Sequence, residues 1–248
     1  MESIVGRTAA ALEGLRARAP RIHCITNTVA QNFTANVLLA LGAVPSMTVA
    51  PQEVPGFVKS AQGLLVNLGT VDDERRASIP LAFQAAGDAG LGVVLDPVLA
   101  NRSRARLDLA LECLAMGPAI VRANAEEAAA LSGGLGPREF AVAANTTLAL
   151  TGPVDLVVNG TSAYEVRHGH SLMARITAMG CAASAVAAAF LAVEKDPAIA
   201  GAAALTVMGV AGEEAAQASR GPGSFVPAFL DTLYSLDAGR LWAAEETA

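Results

Sequence analysis

Two carboxylates and one alanine-rich helix start are the parts of this chain whose types and spacing allow chemistry. Asp96 closes the apolar run "GVVLDP" (92–97), and Pro97 begins a turn just after it. Glu127 lies three residues after Asn124, so the two share one face of a helix's first turn. There the carboxylate either caps the helix or, with Asn124, holds a hydrated Mg²⁺ ion. The third feature is "RITAMGCAASAVAAAFLAV" (175–193), with no charge after Arg175. A helix starting near Gly180 presents unpaired backbone N–H groups and the positive end of its dipole, an anion site made without a cationic side chain. The remaining reactive residues do not cluster. His23, His168 and His170 are too scattered for a ligand set, and each reads as an ordinary core or surface histidine. Cys24 is next to His23, but neighbours on a strand point to opposite faces.

These groups need a scaffold, and the chain supplies a βα rhythm. Strand-like runs at 22–26, 44–49, 63–69, 92–97, 119–124 and 146–152 alternate with helical patterns. The helices are expected at 29–41 (closed by Gly42), 53–61, 73–89, 104–116 and from Ala125 onward, after an amphipathic N-terminal helix. Asn159-Gly160 signals a hairpin whose turn needs positive φ, and helical stretches at 180–193, 197–218 and 226–237 complete the chain. The expectation is one α/β domain over residues 1–248, with a mostly parallel sheet and helices on both faces. Ligands of such sheets sit beyond the C-terminal strand ends. Those ends carry Thr26-Asn27, Met47, Asn67-x-Gly69-Thr70, Asp96-Pro97, Arg122-x-Asn124 and Thr151-Gly152. Each one alone is an ordinary cap or turn residue; together they point to a site along this edge. Thr28, Asn32 and Asn36 form a polar stripe on a helix expected to be buried, there to tie down neighbouring loops.

Composition excludes several classes. The chain has 248 residues, 53% of them hydrophobic but only 4% aromatic, so small aliphatic residues dominate. That suits helices packed closely on a buried parallel sheet. Charged residues are only 16%, which points to buried subunit faces. A net charge of −6 without a Lys/Arg cluster argues against nucleic acid. Three scattered cysteines, Cys24, Cys113 and Cys181, suit a reducing cytoplasm, and the N-terminus has no signal-peptide core. Residues 175–193 are long enough to cross a bilayer, but their Ala, Thr, Ser and Gly content reads as a buried helix, so no membrane partner is expected.

Several segments, in order, resemble the hydroxyethylthiazole kinase family of the ribokinase-like superfamily: "HCITNTVAQNFTAN" (23–36), "LGAVPSM" (41–47), "LVNLGT" (65–70), "VLDPV" (94–98), "VRANAEE" (121–127), "TGPVD" (151–155), "GHSL" (169–172), "TAMGC" (177–181) and "GPGSFVPAFLDTLY" (221–234). The resemblance implies a ribokinase-like fold and transfer of the ATP γ-phosphoryl group, with Mg²⁺, to the primary alcohol of 4-methyl-5-(2-hydroxyethyl)thiazole in thiamine salvage. It implies that Met47, Ala178 and Asn27 meet the alcohol substrate, that Arg122, Thr151 and Asn124 meet ATP, and that Asp96 and Glu127 serve the metal. Gly180 and Cys181 would be catalytic, Cys181 standing where ribokinase relatives keep an aspartate base. It further implies a homotrimer with active sites between subunits.

The chain departs from the family pattern at the anion loop, where Ala178 restricts φ and Met179 adds bulk that would crowd a phosphate or the alcohol. It also has "LANRSRAR" after "LDPV", Ala123 in "VRANAEE", Asn159 in "VVNG", and a short segment between Ser132 and Thr147. These departures leave two alternatives open: a kinase of the same fold for another small heteroaromatic alcohol, or a catalytically weak paralogue acting as a binder. A helix N-terminus would lower the Cys181 thiol pKa if the thiol is exposed there; otherwise it is a small buried core thiol.

Overall fold

The apolar runs assemble into one eight-stranded sheet. This computed structural model describes residues 4–246; residues 1–3 and 247–248, which the expected domain and N-terminal helix include, lie outside the described residues. The strands are β1 (Arg21–Ile25), β2 (Val44–Ser46), β3 (Gly63–Asn67), β4 (Val93–Asp96), β5 (Ile120–Asn124), β6 (Thr147–Thr151), β7 (Asp155–Val158) and β8 (Ala163–Val166). In space they run β2-β1-β3-β4-β5-β6-β7-β8. The strands from β2 to β6 are parallel, and β7 and β8 add an antiparallel edge. The order reverses between β1 and β3, the switch point at which a crevice opens outside the C-terminal strand ends. Asn27 and Asn67 stand at those two ends.

Alternation along the strands feeds two cores. Cys24, Leu65, Val94, Ile120 and Ala149 face α1 (Ile4–Arg18), α2 (Gln31–Leu41), α8 (Met179–Leu191), α9 (Pro197–Gln217), α10 (Pro222–Ser235) and α11 (Ala238–Glu245). Ile25, Leu64, Val66, Leu95, Val121 and Leu148 face α3 (Val54–Ser60), α4 (Asp73–Ala89), α5 (Arg104–Ala115), α6 (Ala125–Ser132) and α7 (Pro137–Ala143). The sheet is therefore covered on both faces, as expected. Alanine-rich α8 and α9 pack on each other, and α9 also packs on α1 and α10. At 13 residues α8 is too short to span a bilayer, and it is buried. Helix α9 is long and apolar enough to cross a membrane by length and composition, but nearly all of it is buried within the fold.

Several local expectations need correction. The hairpin between β7 and β8 turns through four residues, 159–162, and neither Asn159 nor Gly160 takes positive φ. Instead the Asn159 side-chain oxygen accepts from the N–H groups of Thr161 and Ser162, and an Asx-type turn replaces the two-residue one. Asn32 and Asn36 are exposed, so their stripe ties no loop; Asn36 donates to the Asn32 carbonyl at 2.9 Å. The strand expected over 44–49 stops at Ser46, because only β1 pairs with it. The last long helix starts at Pro222 rather than 226, with proline in the first turn, where its missing N–H is harmless. The helix expected from Ala125 onward is broken at Gly133 into α6 and α7, and α11 adds a helix after the last expected stretch. Helices α7 and α11 are short, and α11 depends on Asp237, whose carboxylate accepts from the Arg240 N–H.

Candidate functional site

A cavity of about 690 Å³ opens at the C-terminal ends of β4, β5 and β6. Asp96, Arg122, Asn124, Glu127, Thr151, Ala178, Gly180 and Cys181 line it, so eight of the ten residues singled out from the sequence come together. Met47 and Asn27 do not line it. Met47 is half-buried just past the edge strand β2, packed against the α8–α9 core. Asn27 is buried at the end of β1 and reaches the site through Cys181, donating to its Sγ at 3.3 Å.

The first turn of α8 supplies one wall. Its N-cap is Ala178, which offers no side-chain cap, and the turn carries no acidic residue. Ala182 is the first of its amides to find an acceptor in the helix, the Ala178 carbonyl at 2.9 Å. The amides of Gly180 and Cys181 therefore need a partner from outside the helix. Arg122 lies directly against this turn. A Cβ on Gly180 would stand 2.6 Å from the Arg122 Nη1, so only glycine lets the guanidinium approach. Arg122 also donates to the Thr151 hydroxyl at 3.0 Å, while its buried Nε has no partner among the described residues. A guanidinium held against a helix's positive end offers an anion two favourable partners, although Asp96 and Asp155 already offset part of the Arg122 charge.

The opposite charge is built from amides and carboxylates. Asn67 Nδ2 donates to Asp96 Oδ2 at 2.9 Å, and the Ser184 hydroxyl donates to the same oxygen at 2.7 Å. Asn67 Oδ1 accepts from Asn27 Nδ2 and from the Gly69 N–H, each at 3.0 Å. Asn27 Oδ1 in turn accepts from the Ala30 N–H at 2.9 Å, so backbone amides fix the direction of the whole chain. Asp96 Oδ1 is buried and has no partner among the described residues. Burial pushes the Asp96 carboxyl up to about 6 and Glu127 adds to the rise, against the opposing pull of Arg122, Ser184 and Asn67.

Glu127 does cap its helix. It forms a capping box with Asn124, accepting from the Asn124 N–H at 3.0 Å while Asn124 Oδ1 accepts from the Glu127 N–H. Its other oxygen accepts from the Leu99 N–H at 2.8 Å, where Leu99 takes φ 56°. Each carboxylate oxygen keeps a lone pair. No group of three or more His, Cys, Asp or Glu side chains fit to hold a metal occurs among the described residues. Mg²⁺ usually needs only one or two protein carboxylates, with water and phosphate completing the shell. The bare Asp96 Oδ1 and the cavity-lining Glu127 fit that requirement.

The structure separates the alternatives left open at the anion loop. The Cys181 thiol pKa is raised, not lowered: burial dominates, Asp96 adds to it, and the opposing contributions of Asn27, Asn67 and Arg122 are smaller. The thiol is neutral at pH 7. Met179 is buried in the core and also contributes a wall of the cavity, so its bulk borders the space in which a phosphate or the alcohol would sit. Ala178 does carry the backbone strain its position suggested, with φ 69°.

The site also contains Asn67, one of the polar strand ends legible in the sequence, and Ser184, which no motif in the sequence singles out. Ser184 is four residues after Gly180, on the same face of α8, a signal present in the spacing, whereas Asn67 meets Asp96 only through strand register. His23 and Cys24 do part to opposite faces. The His23 ring bonds Ser46 at 2.9 Å and lies near Phe57 of α3, whereas Cys24 is buried in the core beneath α8.

Comparisons with known proteins agree in direction. The model of the hydroxyethylthiazole kinase family matches residues 12–138 and 136–239. A probable hydroxyethylthiazole kinase of Agrobacterium fabrum is 44% identical over 227 residues, 92% of this chain and 89% of the relative. A hydroxyethylthiazole kinase of Granulibacter bethesdensis is 44% identical over 252 residues, covering 95% and 92%. The solved structure of a hydroxyethylthiazole kinase protein from Pyrococcus horikoshii OT3 superimposes with a TM-score of 0.90 at 37% identity, covering 95% of each chain. A ribokinase-like superfamily protein from Enterococcus faecalis matches with a TM-score of 0.65 at 13% identity, covering 90% of this chain and 89% of its own, which shows the fold alone.

Proposed function

The chain belongs to the hydroxyethylthiazole kinase family, and from that premise we propose that it transfers the γ-phosphoryl group of ATP to the primary hydroxyl of 4-methyl-5-(2-hydroxyethyl)thiazole, serving thiamine salvage. The observation that carries the reading is the uncapped first turn of α8, with the Arg122 guanidinium packed on it inside a cavity that also contains three carboxylates, Asp96, Glu127 and Asp155.

Phosphoryl transfer proceeds through a loose transition state, so catalysis rests on placement and on charge stabilisation. Arg122 and Thr151, with Asn124 beside them, bind the nucleotide phosphates. Asp96 and Glu127 would hold Mg²⁺, which when bound neutralises charge on the phosphate oxygens. The N–H groups of Gly180 and Cys181 point at the transferring group and stabilise its equatorial oxygens. The alcohol approaches from the β1–β2 side, where Asn27 and Met47 stand, and reaches Ala178 at the start of α8. A neutral thiol is a poor base, so Cys181 orients the hydroxyl rather than deprotonating it early, while Asn27 holds its sulfur.

Exposed apolar residues support a homotrimer with active sites between subunits. Val29, Leu39, Val44 and Tyr234, the last at 75% exposure, are large apolar side chains that a second copy would cover. Three unbridged cysteines suit a reducing compartment such as the cytoplasm.

The test is a coupled assay of ADP release with the purified chain, ATP and Mg²⁺. Release that depends on the thiazole alcohol supports the reading. Release only with other heteroaromatic alcohols, or binding of the thiazole without turnover, overturns it.

A further inference from the structure

The segment between β8 and α8 forms a wall of the cavity that the proposed chemistry leaves without a role. His168, Gly169, His170, Ser171 and Met173 all line it. This wall is docked on α9 by two separate devices. Glycine provides the fit: a Cβ on Gly209 would meet the His168 Cβ and carbonyl oxygen at 2.6 Å, and Gly212 lies directly against the flexible Met173 side chain. Glu213 provides the main anchor, while Glu245 of α11 lies 3.9 Å from the His168 Nε2. Glu213 Oε1 accepts from the Gly169 N–H at 2.8 Å, and Glu213 Oε2 lies 3.3 Å from the His168 Nδ1. Gly169 has φ 149°, a conformation favouring glycine, so the bend that presents its N–H to Glu213 is set by residue type.

Position in the sheet assigns the wall to one of the two substrates. The segment leaves β8, beyond Thr151 on β6 and Arg122 on β5, the strands that carry the phosphate contacts. The alcohol side lies toward β1 and β2, and neither Asn27 nor Met47 lines this cavity. Leu205 and Met208 of α9, with Met173, give the space near the wall an apolar lining suited to a flat heterocycle.

Resting on the kinase reading above, we propose that Glu213 is a positioning residue for nucleotide binding: it holds residues 168–173 as the wall against which the base and sugar of ATP pack. Glu213 touches neither substrate. It acts through the Gly169 N–H and the His168 ring, so its loss weakens binding of ATP and leaves the alcohol unaffected.

The experiment uses the full chain with Glu213→Ala and Glu213→Gln. Steady-state kinetics give separate KM values for ATP and for the thiazole alcohol, and calorimetry gives the Kd of a non-hydrolysable ATP analogue. Glu213→Ala should raise the ATP KM and the analogue Kd about five- to twentyfold, with kcat and the alcohol KM within twofold. Glu213→Gln keeps an oxygen acceptor for the Gly169 N–H and should restore nucleotide affinity to within about threefold of the parent. A merely structural role would lower the melting temperature and move both KM values together, or neither. Either result overturns the proposal, as does failure of the glutamine variant to rescue. Hydrogen exchange on the parent chain keeps the idea testable should Glu213→Ala not fold. Amides in 167–173 should exchange more slowly with the ATP analogue bound, and unchanged exchange overturns the proposal. A parent chain that binds no nucleotide at all defeats the kinase reading; normal parent binding with unaltered variants defeats only the role of Glu213.

Discussion

At the scale of single residues, the protein places a neutral thiol and a strained alanine where chemistry is expected. Loss of a true general base typically costs about 10²–10⁴ in rate. Because the Cys181 thiol is held neutral by burial and by Asp96, Cys181→Ala should lower kcat by only about 3- to 30-fold, with the alcohol KM within twofold. A steady-state measurement showing a loss above 100-fold would restore Cys181 as the base. Ala178 sits in the left-handed region at φ 69°, which costs a non-glycine residue about 1–2 kcal/mol. Ala178→Gly recovers that strain, less the entropy glycine loses on folding, for a net gain of about 1 kcal/mol. Calorimetry should show a melting temperature about 2–4 °C higher. Adding Met179→Thr should more than cancel the gain, since it puts a hydroxyl into the buried position of Met179 at a cost of about 2 kcal/mol or more. The residue types at this loop were legible in the sequence, and so was the αL demand on Ala178. The sign of the Cys181 shift was not, because it depends on how deeply α8 sinks between the sheet and α9.

At the scale of elements, ionic capping joins distant parts of the chain. The Arg16 guanidinium, near the end of α1, donates to three carbonyls at the end of α10: Leu236 at 2.6 Å, Leu233 at 2.8 Å and Tyr234 at 3.0 Å. These are the orphan acceptors of a helix C-terminus, where a cation is favoured. Arg16→Ala should destabilise the fold by about 2 kcal/mol and lower the melting temperature by about 4–8 °C. Arg16→Lys keeps the charge but not the fork, and should recover about half. Nothing in the spacing of Arg16 announced this contact, which spans most of the chain. What the sequence did carry is the βα alternation, the covering of both sheet faces and the convergence of strand ends, because a parallel sheet turns apolar runs into strands with a shared polar edge. It misled where a local pattern had two solutions. Asn159-Gly160 fits a two-residue turn, but Ser162 lets the Asn159 side chain close a longer one. Asn32 and Asn36 looked buried because the residues around them are apolar, yet a helix at the edge of the sheet leaves one face outside. The network through Asn67 and Ser184 depends on strand register, which no single run reveals.

At the scale of the whole molecule, pH acts through a buried histidine. His23 is fully buried and its pKa is pushed down to about 4, mainly by burial. The unfolded chain takes up this proton near pH 6.5 and the folded one only near 4, so stability is lost as pH falls through that window. The loss amounts to about 3 kcal/mol at most. Asp96, raised to about 6, works in the opposite direction, since its folded form is favoured as pH falls below that value. The comparison that isolates the histidine is therefore parent against His23→Gln. Denaturant unfolding between pH 7.5 and 4.5 should give a shallower pH dependence for the variant, and parallel curves would show that His23 is not the titrating group. The whole account rests on the amides of Gly180 and Cys181 receiving the phosphoryl group beside Arg122. Its most direct test is a crystal structure of the full chain with a non-hydrolysable ATP analogue, Mg²⁺ and the thiazole alcohol. The account predicts γ-phosphate oxygens about 2.7–3.1 Å from those two N–H groups, with the alcohol oxygen in line beside Cys181. A nucleotide whose γ-phosphate lies away from the first turn of α8 would contradict it.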